Sequence, residues 1–216
     1  KAFMATRMGK FREEIVAVPV AKKVAGQEVA CEEVTQDECI NPALTVQKAA
    51  LYPTIFKENG TVTPANSCPI SDGAAALVVM GAERARAMGL RPWAFIRGYA
   101  YAGVSPQIMG IGPALAVPKA MARAGLPLSE VGLVELNEAF AAQSLAVGRE
   151  LEKKGWDWRK VNVNGGAIAL GHPVGCTGAR IVVTLVKEMM RRDVQFGLAT
   201  LCVGGGQGGA IVLERK

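Results

Sequence analysis

The segment from Val161 to Gly178 reads Val-Asn-Val-Asn-Gly-Gly-Ala-Ile-Ala-Leu-Gly-His-Pro-Val-Gly-Cys-Thr-Gly, with five glycines in eighteen residues. Neither a helix nor a strand tolerates that density in its interior, because each glycine adds backbone freedom that folding must remove. The segment must therefore be a joint, where the backbone turns sharply or approaches another group closely. It carries the only histidine of the chain, His172, held between Gly171 and Pro173. A histidine in such a joint is a candidate proton-transfer group, since its ring titrates near neutral pH. A surface turn with a solvated histidine is the competing reading.

The flanking pattern shows what the joint connects. From residue 92 the chain predicts a strand at Trp93–Ala102, then a loop containing Pro106, Met109, Gly110, Gly112 and Pro113. A helix over Ala114–Ala124 follows, closed by Gly125 and starting near Pro118, since proline favours a first turn. Val131–Leu136 predicts a buried strand, Asn137 an N-cap, and Glu138–Lys154 a long helix. Glu138 itself is expected to serve that first turn or to orient its neighbours. Next come a strand at Val161–Val163, the glycine joint, a helix over Ala179–Arg192, and strands at Gly197–Cys202 and Ala210–Glu214. Strands alternating with helices imply a layered α/β fold, here a mixed five-stranded sheet flanked by helices, its last pair antiparallel.

Residues 1–70 are more polar and look like loops with short elements: a strand at Ile15–Val20 that Pro19 pushes to an edge, an exposed strand or loop at Glu28–Asp37, and helical spacing over Thr45–Phe56. Ala74–Met80 is a short apolar run of the kind buried strands show, and Ala82–Met88 a short helix stopped by Gly89.

Composition narrows the function. The net charge of +6 is mild and scattered, and its densest clusters, Arg84–Arg86 and Lys187–Arg192, fall on solvated helix faces. No basic–aromatic stripe suggests nucleic acid, while a modest positive balance suits an anionic small substrate. No stretch is long and apolar enough to predict a membrane helix. The five cysteines are odd in number and contain no C-x-x-C pair, so neither a disulfide framework nor a zinc site is indicated, and a reducing, cytoplasmic setting is expected. The opening Lys1-Ala-Phe-Met suggests a fragment of a longer chain.

Four features fall at predicted strand ends, where open α/β sheets place ligands: the Met109 loop, Asn137, the His172 segment and Cys202. Cys202 precedes Val203 and three glycines, whose N–H groups could face a developing oxyanion. A thiol there needs a neighbouring base, and His172 is the candidate. Cys31, Cys39 and Cys176 read as small buried hydrophobes. The glycine run after Cys202 leads into a strand, not a helix, so it is no dinucleotide fingerprint. No Gly-x-Ser-x-Gly element signals a serine hydrolase.

Asn137-Glu-Ala-Phe-Ala141, Asn164-Gly-Gly-Ala-Ile-Ala-Leu-Gly-His-Pro173 and Cys202-Val-Gly-Gly-Gly206 together resemble the thiolase family, in its acetyl-CoA acetyltransferase branch. Gly60-Thr-Val-Thr, Asp72-Gly-Ala-Ala-Ala and Met109-Gly-Ile-Gly-Pro113 extend the resemblance over the whole chain. It implies an acyltransferase that makes or cleaves 3-ketoacyl-CoA in lipid metabolism, with coenzyme A thioesters as substrates and no cofactor. It further implies that His172 activates an acyl-accepting cysteine, that Cys202 moves the proton alpha to the thioester, that Asn137 holds a water beside His172, and that the Gly204 N–H serves an oxyanion hole. Met109, Ala139 and Phe140 are expected to shape the acyl pocket, and Phe56, Cys68 and Ile70 to meet the pantetheine.

Two positions depart from the family pattern: Asn41 stands where an arginine often follows Asp-Glu-x-Ile, and Cys68 where a serine is common. By the resemblance the nucleophilic cysteine belongs to a first half absent here. Residues 1–70 are then the remainder of an inserted loop domain, 71–91 the last strand and helix of the first core domain, and 92–216 the C-terminal core domain. The chain alone is expected to be inactive and, when complete, to form a homodimer or homotetramer. The alternatives are a non-catalytic subunit completing a split thiolase, and a ketoacyl-synthase-like condensing enzyme, which would use a second histidine where Cys202 stands.

Overall fold

A computed structural model describes residues 1–24 and 27–216. Among the described residues thirteen α-helices and β-strands follow one another: α1 (Ala2–Arg7), β1 (Val18–Val24), β2 (Gln27–Val34), α2 (Val46–Ala49), α3 (Ala82–Ala87), β3 (Phe95–Gly103), α4 (Gly112–Ala124), β4 (Leu133–Leu136), α5 (Ala141–Leu151), α6 (Ala167–Leu170), α7 (Thr177–Arg192), β5 (Phe196–Val203) and β6 (Gln207–Glu214). Strands β1 and β2 form a separate antiparallel hairpin. The main sheet has the order β3-β6-β5-β4, with β4 and β5 parallel and β6 antiparallel to both of its neighbours. The expected fifth strand is reduced to one parallel bridge, Val161 with Val134, at the β4 edge.

Alternation along the strands builds two layers of core. Leu198, Val212, Ala100 and Leu136 pack against Val117, Ala120 and Met121 of α4 and Val147 and Leu151 of α5. On the opposite face Leu133, Ala199 and Leu213 meet Ile181, Leu185 and Met189 of α7. Strands β4, β5 and β6 are thus covered on both faces, as their apolar residues require, whereas β3 exposes Tyr99 and Tyr101 on one face. At the end of β6, Gly208 lies back to back with Gly112 at the start of α4. A Cβ on Gly208 would sit 2.1 Å from the Gly112 carbonyl carbon, so only glycine lets the helix come this close.

Several expectations are corrected. Asn137 is not a helix cap: α5 begins four residues later, with Phe140 as its N-cap, and Asn137 is buried with its amide turned toward His172. Pro118 lies inside α4 rather than at its start, which is set by Gly112 and Pro113. Proline costs a helix interior one hydrogen bond, but Ala116, Val117 and Ala120 are fully buried around it, and that packing overrides the local preference. Ala74–Met80 forms no strand, because no neighbouring strand among the described residues pairs with it; Val78 and Val79 are 88% and 72% exposed. Helical spacing over Thr45–Phe56 yields only Val46–Ala49, capped by the Thr45 hydroxyl accepting from the Lys48 N–H. Helix α6, inside the glycine joint, was not anticipated.

Candidate active site

Strands β4 and β5 run parallel, so the residues just beyond them emerge at one end of the sheet. Asn137 follows β4, with its N–H donating to Thr200 O at 3.0 Å, and Cys202 lies near the end of β5. The Val161–Val134 bridge is also parallel, which brings the glycine joint and His172 to the same end. The Asn137 side chain is fully buried, and its Nδ2 lies 3.4 Å from His172 Nε2. Its Oδ1 has no hydrogen-bond partner. A buried amide oxygen left open in this way is suited to accept from a water or a bound ligand.

The other ring nitrogen fixes the tautomer. His172 Nδ1 is 2.7 Å from Thr177 Oγ1, and the Thr177 hydroxyl donates to Pro173 O at 3.0 Å. A hydroxyl has one proton, so Thr177 accepts from an Nδ1–H and leaves Nε2 with its lone pair facing Asn137. Burial and then the Arg180 guanidinium lower the His172 pKa, which keeps the ring neutral. The main chain is pinned as well: the His172 N–H donates to Ser71 Oγ at 3.3 Å, and Ser71 donates to Pro69 O. Sequence reasoning missed Thr177 and Ser71 as partners of His172. A hydroxyl five residues after the histidine, beyond a Pro-initiated turn, was the available signal for the first. Nothing local could reveal the second, which is 101 residues away.

Cys202 is 6% exposed, and burial raises the pKa of its thiol. Cys68 is close enough for its charge to be felt there; its own thiol is also raised by burial, and its N–H donates to Ala139 O at 3.1 Å. Ser67 and Phe140 form an antiparallel bridge beside it, and the Phe140 ring meets Phe56 edge-on at 5.7 Å. Ala139 is buried and Met109 half-buried in the turn before α4. Ile70 projects wholly into solvent and touches none of this group. Gly204 opens the turn between β5 and β6, where nothing lies within 4 Å of the position a Cβ would take. No hydrogen bond links His172 to any of the five cysteines. Cys176 is buried as expected, but Cys39 is only half-buried, beside Ser71 at 3.8 Å, and Cys31 is exposed on the β1–β2 hairpin, where Val18, Val20 and Val34 also reach solvent.

Behind the site lies a group of carboxyls. Glu135 on β4 is buried, and its Oε2 is 3.8 Å from Arg180 Nη1 of α7; neither atom has a hydrogen-bond partner. At that separation desolvation outweighs the attraction, and the Glu135 pKa is pushed up to about 8. Burial also raises the Glu14 and Asp37 carboxyls, which Arg180 opposes.

A buried thiol, a neutral imidazole with a set tautomer and a fixed amide stand at the same end of the sheet, an arrangement whose chemistry is suited to proton transfer. The family profile described as "Thiolase, C-terminal domain" matches residues 90–215, and that described as "Thiolase, N-terminal domain" matches residues 1–83. The chain belongs to the thiolase family. It is 50% identical over 215 residues to an acetyl-CoA acetyltransferase of Pseudomonas aeruginosa, covering 100% of this chain and 53% of the relative. A 3-ketoacyl-CoA thiolase of Bacillus subtilis is 49% identical over 210 residues, 95% of this chain and 53% of its own length. Among solved structures, the Bacillus anthracis acetyl-CoA acetyltransferase matches with a TM-score of 0.93 at 44% identity, covering 99% of this chain and 52% of that one. The chain spans about half the length of the curated relatives it matches.

Proposed function

We propose that this chain supplies the carbon-chemistry half of an acyltransferase that makes or cleaves 3-ketoacyl-CoA, with acetyl-CoA as the two-carbon donor. The observation that carries this reading is His172, its Nε2 lone pair set by Thr177 and lying against an Asn137 amide with a vacant oxygen, at the strand ends that also hold Cys202. In condensation Cys202 gives its proton to the CoA thiolate expelled when the acyl-enzyme forms; the resulting thiolate then takes a methyl proton of acetyl-CoA, and the electron pair moves onto the thioester oxygen. His172, having taken the proton of an acyl-accepting thiol at Nε2, then donates Nε2–H to that oxygen, with a water held by Asn137 Oδ1 as second donor. The enolate carbon attacks the acyl-enzyme carbonyl, whose oxygen meets the Gly204 N–H. The adduct collapses with cleavage of its C–S bond, and the acyl-accepting sulfur leaves as a thiolate that recovers its proton from His172. Enolate stabilisation by preorganised donors is the main requirement, because the proton alpha to a thioester is very weakly acidic. In the thiolytic direction Cys202 returns the proton to carbon. A thiol whose pKa burial has raised is well suited to hold that proton until it is needed.

On this reading Met109, Ala139 and Phe140 shape the acyl pocket, and Phe56 and Cys68 meet the pantetheine, whereas Ile70 reaches it only by moving inward. The acyl-accepting thiol is none of the five cysteines, since no hydrogen bond to His172 activates any of them. The division at 1–70, 71–91 and 92–216, a cytoplasmic site of action and an oligomeric complete enzyme belong to the same reading. No helix of the described residues is long and apolar enough to cross a membrane.

The test is methyl-proton exchange of acetyl-CoA in deuterated water with the 216-residue chain, read by mass spectrometry alongside cysteine acylation. Exchange that disappears in Cys202→Ser, with no acylated cysteine, is the expected result. Covalent acylation of the chain, or cleavage of acetoacetyl-CoA by it, would sink the assignment of an external nucleophile. Absence of exchange would count against the assigned carbon chemistry.

A further inference from the structure

The two asparagines of the Val161–Asn164 stretch have no part in the chemistry above, yet both are buried. Asn162 takes a backbone conformation with φ of 45°, in the left-handed region that non-glycine residues rarely adopt. What it gains there is a set of bonds that copies a strand. Its N–H donates to Val134 O at 2.9 Å, continuing the parallel bridge of Val161 with Val134. Its side-chain amide then acts as a surrogate peptide: Oδ1 accepts from the Leu136 N–H at 2.9 Å, and Nδ2 donates to Leu136 O at 2.8 Å. The same Nδ2 donates to Glu138 Oε1 at 2.8 Å. The other oxygen of that carboxylate accepts from the Ile168 N–H at 3.2 Å, in the first turn of α6. Between these two contacts lies Gly166, where a Cβ would stand 2.2 Å from the Glu138 carboxyl carbon; the glycine is what lets the carboxylate reach both.

The consequence for the site is geometric. Leu136 and Glu138, the residues on either side of Asn137, are both bonded to Asn162. Helix α6, held at Ile168, ends at Leu170, and His172 follows two residues later. Asn137 and His172, whose side chains meet at 3.4 Å, therefore hang from the two arms of one clamp. Each arm would otherwise be a short irregular segment free to shift by the ångström that separates a productive contact from none.

We propose that Glu138 is a positioning residue: its carboxylate locks the Asn162–Ile168 arm of the glycine joint onto the end of β4 and so sets where His172 meets Asn137. The proposal rests on the functional reading above, but its test needs no turnover. His172 is the only histidine, so its ring nitrogens are identifiable without assignment of the rest of the spectrum. Nitrogen NMR on the uniformly labelled chain is expected to show a single Nδ1–H tautomer in the parent. In Glu138→Ala the Nδ1–H held by Thr177 stays, but the Nε2 signal that faces Asn137 shifts, the His172 titration midpoint rises toward the ordinary imidazole value, and exchange of the Ile168 amide accelerates by roughly 10-fold or more. Glu138→Gln keeps the shape but offers one acceptor instead of two, and moves each readout the same way by less.

Ring signals that coincide with the parent in both folded variants would overturn the proposal. So would loss of folding in both, which would make the carboxylate a support of the whole domain rather than of one loop. Failure of acetyl-CoA proton exchange in the parent leaves these signals untouched, and so separates the positioning claim from the functional one.

Discussion

At the scale of single residues, the site depends on which nitrogen of one ring carries a proton. Thr177 decides this, so Thr177→Val, which keeps the shape and removes the acceptor, is expected to mix the tautomers. Its effect on acetyl-CoA proton exchange should be large, since a wrong tautomer can cost a catalytic histidine up to about 10⁴-fold. His172→Ala is expected to lower the same rate by about 10²- to 10⁴-fold, the usual contribution of a positioned acid or base. Glu135 makes a stability prediction of opposite character. Its folded pKa of about 8 lies above the unfolded value of 4.5, so the folded state binds more protons through that window and stability falls as pH rises across it. Glu135→Gln removes the titration. Urea denaturation should show the variant gaining on the parent by about 1.4 kcal/mol for each pH unit crossed within that window, with the largest gain near pH 8. A parent and variant with parallel pH profiles would mean that Glu135 is ionised in the fold.

Among the elements, the contact between the start of α4 and the end of β6 is the most demanding. Gly112 and Gly208 touch through main-chain atoms, which cannot rotate away as a side chain can. Gly208→Ala is therefore expected to destabilise the chain by about 3 kcal/mol or more, at or beyond the upper end of overpacking penalties, as a lowered midpoint in thermal or urea denaturation. Helix α7 links core and site. Ile181, Leu185 and Met189 press on the sheet, while Thr177 and Arg180 at its beginning face His172 and Glu135, and Glu188 near its end takes Asn164, Arg191 and Arg192. One apolar stripe thus orients polar groups at both ends of the same helix. That stripe could be read from the sequence; the partners of its polar ends could not, because Glu135 and Asn164 come from other elements.

Across the whole molecule, the apolar segment before α3 is one of the exposed stretches, with Leu77, Val78, Val79 and Met80 all reaching solvent. Val78 and Val79 make little contact, so Val78→Ser with Val79→Ser should change folding stability by less than about 0.5 kcal/mol each while lowering dye binding and light scattering. Unchanged scattering would show that association runs through another surface. The order of strands and helices beyond residue 92 was legible because period and breakers are local: alternating or continuous apolar runs, Gly125 after α4, Gly155 after α5. The family motifs were legible too, since unbroken stretches carry His172, Asn137 and Cys202. What the sequence could not show is where local and tertiary demands conflict. Asn137 has the composition of a helix cap, but a half-buried histidine 35 residues away claims its amide. Pro118 has the composition of a helix start, but the packing of α4 carries the helix through it. Val161–Val163 has strand composition, yet Asn162 turns out of the strand and lets its side chain continue the pairing. The Val161–Gly178 joint shows the division most plainly. Its glycine content alone determined that it is a joint, with a solvated turn as the competing reading for its histidine. Only the tertiary structure decided what fixes it, because Glu138, Ser71 and Arg180 reach the joint through hydrogen bonds and fields that act across space and leave no period in the chain.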